Sequence, residues 1–145
     1  MNPEEAIAAN KELDKQFLDA FKRKDLGGMM SCWWRSPAAA MYPSDDIDGR
    51  QGWEAINASV KFMVGGTDSV ISAELMEAGY LVRGDAVIGT GKLAMNIMPK
   101  GLLRPVELIT RFTDIRELKD GQWVYVYRHE SVNPMAGLGS QTVMP

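Results

Sequence analysis

The sequence predicts an α+β fold, in which helices pack on one face of a curved, mainly antiparallel sheet. Up to about residue 65, apolar residues recur every three or four positions, which is the spacing of amphipathic helices. From Asp68 onward the period changes towards two, as in strands that bury one face. Turn residues divide this second part at Arg83-Gly84-Asp85, Pro99-Lys100-Gly101 and Asp120-Gly121.

Each expected element has a local signal. Asn2 suits the N-cap of the first helix, Pro3 suits its first position, and Asp25 can cap a shorter second helix. Gly65-Gly66 ends the third helix, which begins near Trp53. In chain order, the expected helices are 3 to 22–24, 25–33 and 53–65, and the expected strands are 38–42, 69–82, 86–98, 104–118 and 122–132.

Composition narrows the class of protein. The 145 residues fit one domain, for which we take 1–132, followed by an irregular tail at 133–145 that is rich in Pro, Gly and Ser. The formal net charge of −3 and the scattered basic residues favour neither nucleic acid nor an anionic membrane. A single cysteine, Cys32, predicts a buried thiol in a reducing compartment. We therefore expect a soluble, cytoplasmic protein with no metal and no cofactor.

The last strand carries the only histidine. From Trp123 to Ser131 the aromatic residues alternate with others, which predicts that Tyr125, Tyr127 and His129 share one face of the sheet. A two-residue turn at Asp120-Gly121 would set His129 opposite Phe112, whereas a three-residue loop would set it opposite Arg111. We favour the three-residue loop. In that register Arg111 shares the inner face with His129, and an enclosed arginine requires a protein carboxylate, water or an anionic ligand as its partner.

Three stretches together resemble the nuclear-transport-factor-2-like superfamily, in particular its SnoaL-like and ketosteroid-isomerase-like branch. They are Phe17 to Leu26, Tyr42-Pro43 with Gly49 to Ile56, and Thr110-Arg111-Phe112 with Asp120 to Ser131. The last stretch also resembles the association domain of calcium/calmodulin-dependent protein kinase, a member of the same superfamily. The resemblance implies a cone-shaped barrel around three N-terminal helices, a pocket between sheet and helices, and a homodimer formed through the outer face of the sheet.

The resemblance also implies site residues. The association domain has a basic pocket, whose motif arginine corresponds to Arg111 and whose histidine corresponds to His129; Arg104 and Lys92 match other basic positions more weakly. A polar or anionic small molecule is the implied ligand. The candidate ligand-binding residues are Arg111, Tyr127, Tyr125, Tyr42, Trp33, Trp34 and Arg104.

The sequence constrains the reaction less than it constrains the pocket. His129 is the candidate catalytic residue, because an imidazole can both accept and donate a proton at neutral pH. Tyr42 stands where ketosteroid isomerases carry their aspartate base, so steroid isomerisation is disfavoured. The first hypothesis is an isomerase, cyclase or lyase that uses His129. The alternative is a non-catalytic module that binds a ligand or assembles into a dimer. In a further interpretation, Arg111 pairs with Glu74, Glu77 or Asp114 and serves only the scaffold.

Overall fold

A computed structural model describes residues 2–132, in which three helices pack against an open, curved sheet of six strands. The predicted tail at 133–145 lies outside the described residues. In chain order the elements are α1 (Pro3–Lys22), α2 (Leu26–Met30), β1 (Ala40–Tyr42), β2 (Arg50–Gln51), α3 (Trp53–Gly65), β3 (Thr67–Arg83), β4 (Ala86–Pro99), β5 (Val106–Lys119) and β6 (Gln122–Ser131).

The sheet confirms the predicted α+β class. Its strand order is β2-β1-β6-β5-β4-β3, and every neighbouring pair is antiparallel except β1 and β6. The four long strands follow one another as a meander, as the spacing of the turn residues predicts. The short strand β2 was not expected from the sequence, because two residues carry no periodicity.

Helix α1 begins as its sequence predicts. The Asn2 side chain accepts a hydrogen bond from the Glu4 backbone N–H at 2.9 Å, and Pro3 occupies the first turn. The inward face of α1 includes Leu13 and Phe21, which are almost fully buried. This stripe holds α1 against the sheet and fixes which of its polar residues point inwards.

Helix α2 ends at Met30, earlier than predicted, because the following backbone joins the sheet. The Tyr125 N–H donates to the Cys32 carbonyl at 2.8 Å, and the Trp34 N–H donates to the Tyr125 carbonyl at 2.9 Å. These bonds replace the helical ones and tie the chain to the middle of β6. Trp33 consequently packs beside the Tyr125 ring, with the ring centroids 5.7 Å apart.

The turn between β5 and β6 contradicts the favoured three-residue loop. Asp120 and Gly121 both have positive φ, 52° and 78°, and Lys119 pairs with Gln122 across them. This is a two-residue hairpin turn of the kind that Asp-Gly supports, because its backbone twist matches that of the strands.

A bulge then changes which face the end of β6 presents. Arg116 pairs with Tyr125, but Ile115 pairs with Tyr127, so Val126 is an extra residue on β6. His129 therefore lies opposite Thr113, in neither of the two predicted registers. Beyond the bulge, odd-numbered residues point away from the helices and even-numbered residues point towards them.

The prediction that one face carries the aromatic series together with His129 is therefore wrong. Tyr125 faces the helices, whereas Tyr127 and His129 lie on the opposite side of the sheet, called here the outer face. Arg111 does share a face with His129, but it is the exposed outer face rather than the inner one. Alternation alone did not reveal that His129 faces outwards, because one extra residue inverts every side chain after it on β6.

We predict that Cys32 is inert in the folded protein. Its side chain is buried, and burial raises the pKa of the thiol to about 11, which leaves almost no thiolate at pH 8. An Ellman's reagent assay at pH 8 should show no reaction in native buffer and one reacting thiol per chain in guanidinium chloride. Rapid, complete reaction of the native protein would contradict the packing around α2.

Candidate functional site

The helix-facing side of the sheet holds a buried group of charged and phenolic side chains that sequence analysis did not predict. We call it the interior cluster. Its members are Asp14 from α1, Tyr80 from β3, Asp114 and Arg116 from β5, and Tyr125 and Arg128 from β6.

Asp14 is the acceptor at the centre of the interior cluster. Its Oδ1 accepts hydrogen bonds from Tyr125 Oη at 2.6 Å and from Arg116 Nη2 at 2.9 Å. Its Oδ2 accepts a hydrogen bond from Tyr80 Oη at 2.5 Å. One carboxylate thus binds side chains from three different strands to α1.

Arg116 is fully buried and bonded to two carboxylates. Its Nε and Nη2 both donate to Asp114, two residues away on the same strand, and Nη2 also reaches Asp14. Burial opposes the charge on Arg116, but these carboxylates more than offset that effect and raise the pKa of its guanidinium. Gly89 on β4 makes room for the pair, since a Cβ there would lie 2.5 Å from Arg116 Nη2.

Arg128 closes the interior cluster on its other side. Its Nη1 lies 3.6 Å from Asp114 Oδ2, and its guanidinium stacks 4.2 Å from the Phe112 ring centroid. Its Nε lies 3.3 Å from Glu130 Oε2, in an ionic contact that lacks hydrogen-bond alignment. Desolvation raises the pKa of the Asp114 carboxyl, and the neighbouring guanidinium groups offset part of that rise.

Both tyrosines of the interior cluster remain hydrogen-bond donors at neutral pH. Burial, followed by the hydrogen bond to Asp14, raises the pKa of Tyr80 well above its ordinary value. Burial and the adjacent Asp14 also raise the pKa of Tyr125. Tyr125 is enclosed by Phe17 and Trp33, whereas Tyr80 is only partly buried. Tyr80 is therefore the hydroxyl of the cluster that a molecule from solvent can approach.

The approach to Tyr80 is a groove of about 580 Å³ between α1 and β3, called here the α1–β3 groove. Tyr80 and Asp14 line it together with the apolar side chains of Leu18, Leu75 and Ala78. A polar pair within apolar walls, in a space of this size, is typical of small-molecule sites.

The rim of the α1–β3 groove is basic. Lys11, Lys15 and Lys22 line it from α1, and Asp19 is the one acidic residue among them. Lys15 pairs with Asp19 at 3.2 Å, in an exposed contact between successive helical turns. The net positive charge of the rim favours a ligand whose anionic group lies near the solvent.

The structure places the predicted pair Arg111 and His129 in a different groove. This groove, of about 400 Å³, lies on the outer face across β4, β5 and β6. Tyr42 adjoins it, since its ring centroid lies 6.0 Å from that of His129 and 5.6 Å from that of Tyr127. Four of the predicted site residues are therefore neighbours, but outside the helix-covered interior.

The other predicted site residues are dispersed. Trp33 and Tyr125 belong to the hydrophobic core. Trp34 is partly buried beneath Lys119, whose Nζ lies 4.4 Å from its ring centroid. Arg104 is exposed in the connection between β4 and β5. These positions do not bring the four residues to one surface with His129.

The purely structural interpretation of Arg111 is not supported among residues 2–132. Of its three suggested partners, Glu77 pairs with Lys92 at 3.1 Å and Asp114 pairs with Arg116. Glu74 forms no ion pair with Arg111 within 4.0 Å in this part of the chain.

Neither a metal site nor a membrane-spanning helix is found among residues 2–132. Residues 2–132 contain no group of three or more His, Cys, Asp or Glu side chains placed to hold a metal ion. None of the helices in this range is long and apolar enough to cross a membrane.

Comparison with solved structures identifies the architecture. The chain superimposes on a proposed dehydratase from Streptomyces avermitilis, assigned to the NTF2-like family, with a TM-score of 0.78 over 92% of this chain and 99% of that one. The sequence identity is 16%. The chain has the nuclear-transport-factor-2-like fold. No protein-family model and no curated protein sequence matches it.

Other proteins with the NTF2-like fold carry different names. A proposed aromatic ring hydroxylase from Novosphingobium aromaticivorans matches with a TM-score of 0.78 and 13% identity, over 90% of this chain and 91% of that one. A proposed calcium/calmodulin-dependent protein kinase type II association domain from Thiobacillus denitrificans matches with a TM-score of 0.67 and 19% identity, over 85% and 94%. At these identities the likeness establishes the fold, and function must come from the site.

We predict that Asp14→Ala destabilises the protein by about 3–5 kcal/mol, because it leaves Arg116 and two tyrosine hydroxyls without an acceptor they now share. The matched control is Asp19→Ala, an exposed aspartate on the same helix, which should change the free energy of unfolding by about 0.5 kcal/mol or less. Urea denaturation of both variants measures the difference. Equal stabilities would show that the interior cluster does not hold α1.

Proposed function

We propose that this protein binds a small hydroxylated organic acid in the α1–β3 groove. The observation that carries the proposal is the Asp14–Tyr80 pair, a buried carboxylate bonded to a partly exposed phenol at the polar end of an apolar groove. The apolar body of the ligand would contact Leu18 and Leu75. Its hydroxyl would bond to Tyr80, and its carboxylate would lie near the lysines of the rim.

The same pair supports acid–base chemistry on a bound hydroxyl. Tyr80 Oη donates to Asp14, so its oxygen can accept a hydrogen bond from the ligand while a proton moves along the chain of hydrogen bonds. Such a relay would deprotonate the bound hydroxyl, because its proton would pass to Tyr80 Oη as the Tyr80 proton passes to the Asp14 carboxylate.

The proposed chemistry relies on Asp14 and Tyr80 rather than on His129. His129 lies across the sheet from the interior cluster, and its hypothesised role as an acid–base catalyst stays a prediction. The SnoaL-like assignment, with an isomerase, cyclase or lyase activity, likewise stays a prediction.

Assembly through the outer face is a second candidate function. Met76, Leu81 and Ile109 lie on this face and leave between 39% and 50% of their surface exposed. Apolar side chains of this size on a sheet surface favour contact with another protein chain. A homodimer formed through this face stays a prediction.

We predict that para-hydroxybenzoate binds the protein about tenfold more tightly than benzoate, because only the former offers a hydroxyl to Tyr80. Phenol, which lacks the carboxylate, should also bind more weakly. Tyr80→Phe should lower the affinity for para-hydroxybenzoate to that for benzoate. Isothermal titration calorimetry at one ionic strength measures all four affinities, three with the native protein and one with Tyr80→Phe.

A blocking variant separates the α1–β3 groove from other sites. Ala78→Trp fills the groove and should abolish binding of para-hydroxybenzoate, whereas Ala94→Trp on the outer face should leave it unchanged. Undiminished binding to Ala78→Trp, with native circular dichroism, would refute the proposed location.

A further inference from the structure

The outer-face groove has an unusual arrangement of charge. Lys92 on β4 and Arg111 on β5 are direct cross-strand partners, and both line the groove. Like charges placed directly opposite each other on neighbouring strands repel and destabilise the pairing. These two solvent-accessible cations concentrate positive charge that a bound anion would offset.

Protein carboxylates supply only part of that compensation. Glu77 Oε2 lies 3.1 Å from Lys92 Nζ, and Glu77 is the only acidic residue among those that line the groove within residues 2–132. Arg111 has no carboxylate oxygen within 4.0 Å in the same range. The guanidinium thus presents unused donors to the groove.

The surrounding side chains are also hydrogen-bond donors. Ser131 lies opposite Arg111, and Thr113 lies between Thr90 and His129 in the next row of the sheet. Three hydroxyl groups and an imidazole thus surround the two cations. Such a collection suits an oxyanion, because an arginine can hold two of its oxygens at once while hydroxyls and a lysine bind the others.

The position of Glu77 is itself informative. It has a φ of 53°, in the left-handed region, at a bulge where β3 departs from regular pairing with β4 between Met76 and Gly79. This conformation, which is costly for a non-glycine residue, brings the carboxylate over Lys92. Glu77 therefore occupies the place next to Lys92 that a bound anion would share.

We propose that the outer-face groove is a binding site for a small oxyanion, a phosphate or carboxylate group that bridges Lys92 and Arg111 and competes with Glu77. The site is independent of the α1–β3 groove, because the sheet separates them. Arg111 supplies the bidentate contact, and Glu77 weakens binding by holding Lys92.

Two variants with opposite expected effects test the site. Inorganic phosphate is titrated into the full-length protein by isothermal titration calorimetry at constant ionic strength, with acetate in a parallel titration. Arg111→Gln should weaken phosphate binding about tenfold, since it removes charge-assisted hydrogen bonds. Glu77→Gln should strengthen it about threefold, because the anion no longer competes for Lys92. Tighter binding of phosphate than of acetate would identify a phosphate group as the ligand, and the reverse would identify a carboxylate.

Matched controls distinguish the loss of a contact in the groove from the effect of a changed net charge. Arg83→Gln removes the same charge at the far end of β3, and Glu54→Gln removes an acidic residue on α3; neither should change the affinity. All four positions are exposed, so circular dichroism should confirm native folding. The proposal is overturned if neither anion binds, or if Arg111→Gln has no more effect than Arg83→Gln. Loss of phosphate binding as the protein dimerises at higher concentration would also overturn it, because the groove would then be a contact between two copies.

Discussion

The hydrogen bonds that Asp14 accepts from Tyr80, Tyr125 and Arg116 are the constraint on which the rest of the structure depends. They connect α1 to three strands of the sheet through one buried carboxylate. A rotation of α1 by one residue would move Asp14 by about 100° and leave Arg116 with Asp114 alone. Such a rotation would also leave the hydroxyls of Tyr80 and Tyr125 without their acceptor, so the interior cluster helps to fix the rotation of α1.

Two features of the sheet make this arrangement sterically feasible. Gly89 leaves space beside Arg116 that any side chain would fill. The bulge at Val126 lets Tyr125 and Arg128 face the same side although they are three residues apart. The bulge also turns His129 to the outer face. The same extra residue therefore completes the interior cluster and creates the outer-face groove.

Much of the fold was predictable from periodicity and turn residues. The caps at Asn2 and Asp25 and the position of the Asp120-Gly121 turn act through neighbouring residues, so the sequence expresses them directly, although the length of that turn was predicted wrongly. The bulge at Val126 was not predictable, because it depends on how β6 pairs with β5 and β1 together. Omission of the bulge placed His129 on the wrong side of the sheet, whereas the wrongly predicted three-residue loop placed Arg111 there.

The sequence does contain weak signals of the interior cluster. Asp14 follows Leu13 on the apolar side of α1, where a carboxylate is unexpected. Asp114 and Arg116 alternate with Phe112 on β5, at the positions that face the helices. A charged pair at inward positions of a strand indicates buried partners elsewhere, but their identity depends on tertiary contacts with Tyr80 and Tyr125. The sequence says even less about the ligand, because the α1–β3 groove forms only when α1 packs against β3.

The most direct test of this account is a crystal structure of the protein grown with para-hydroxybenzoate. We expect the ring between Leu18 and Leu75, its hydroxyl within hydrogen-bond distance of Tyr80 Oη, and the Asp14 contacts intact. A ligand bound only on the outer face beside Arg111, or α1 packed directly on β3 with the groove closed, would contradict the account.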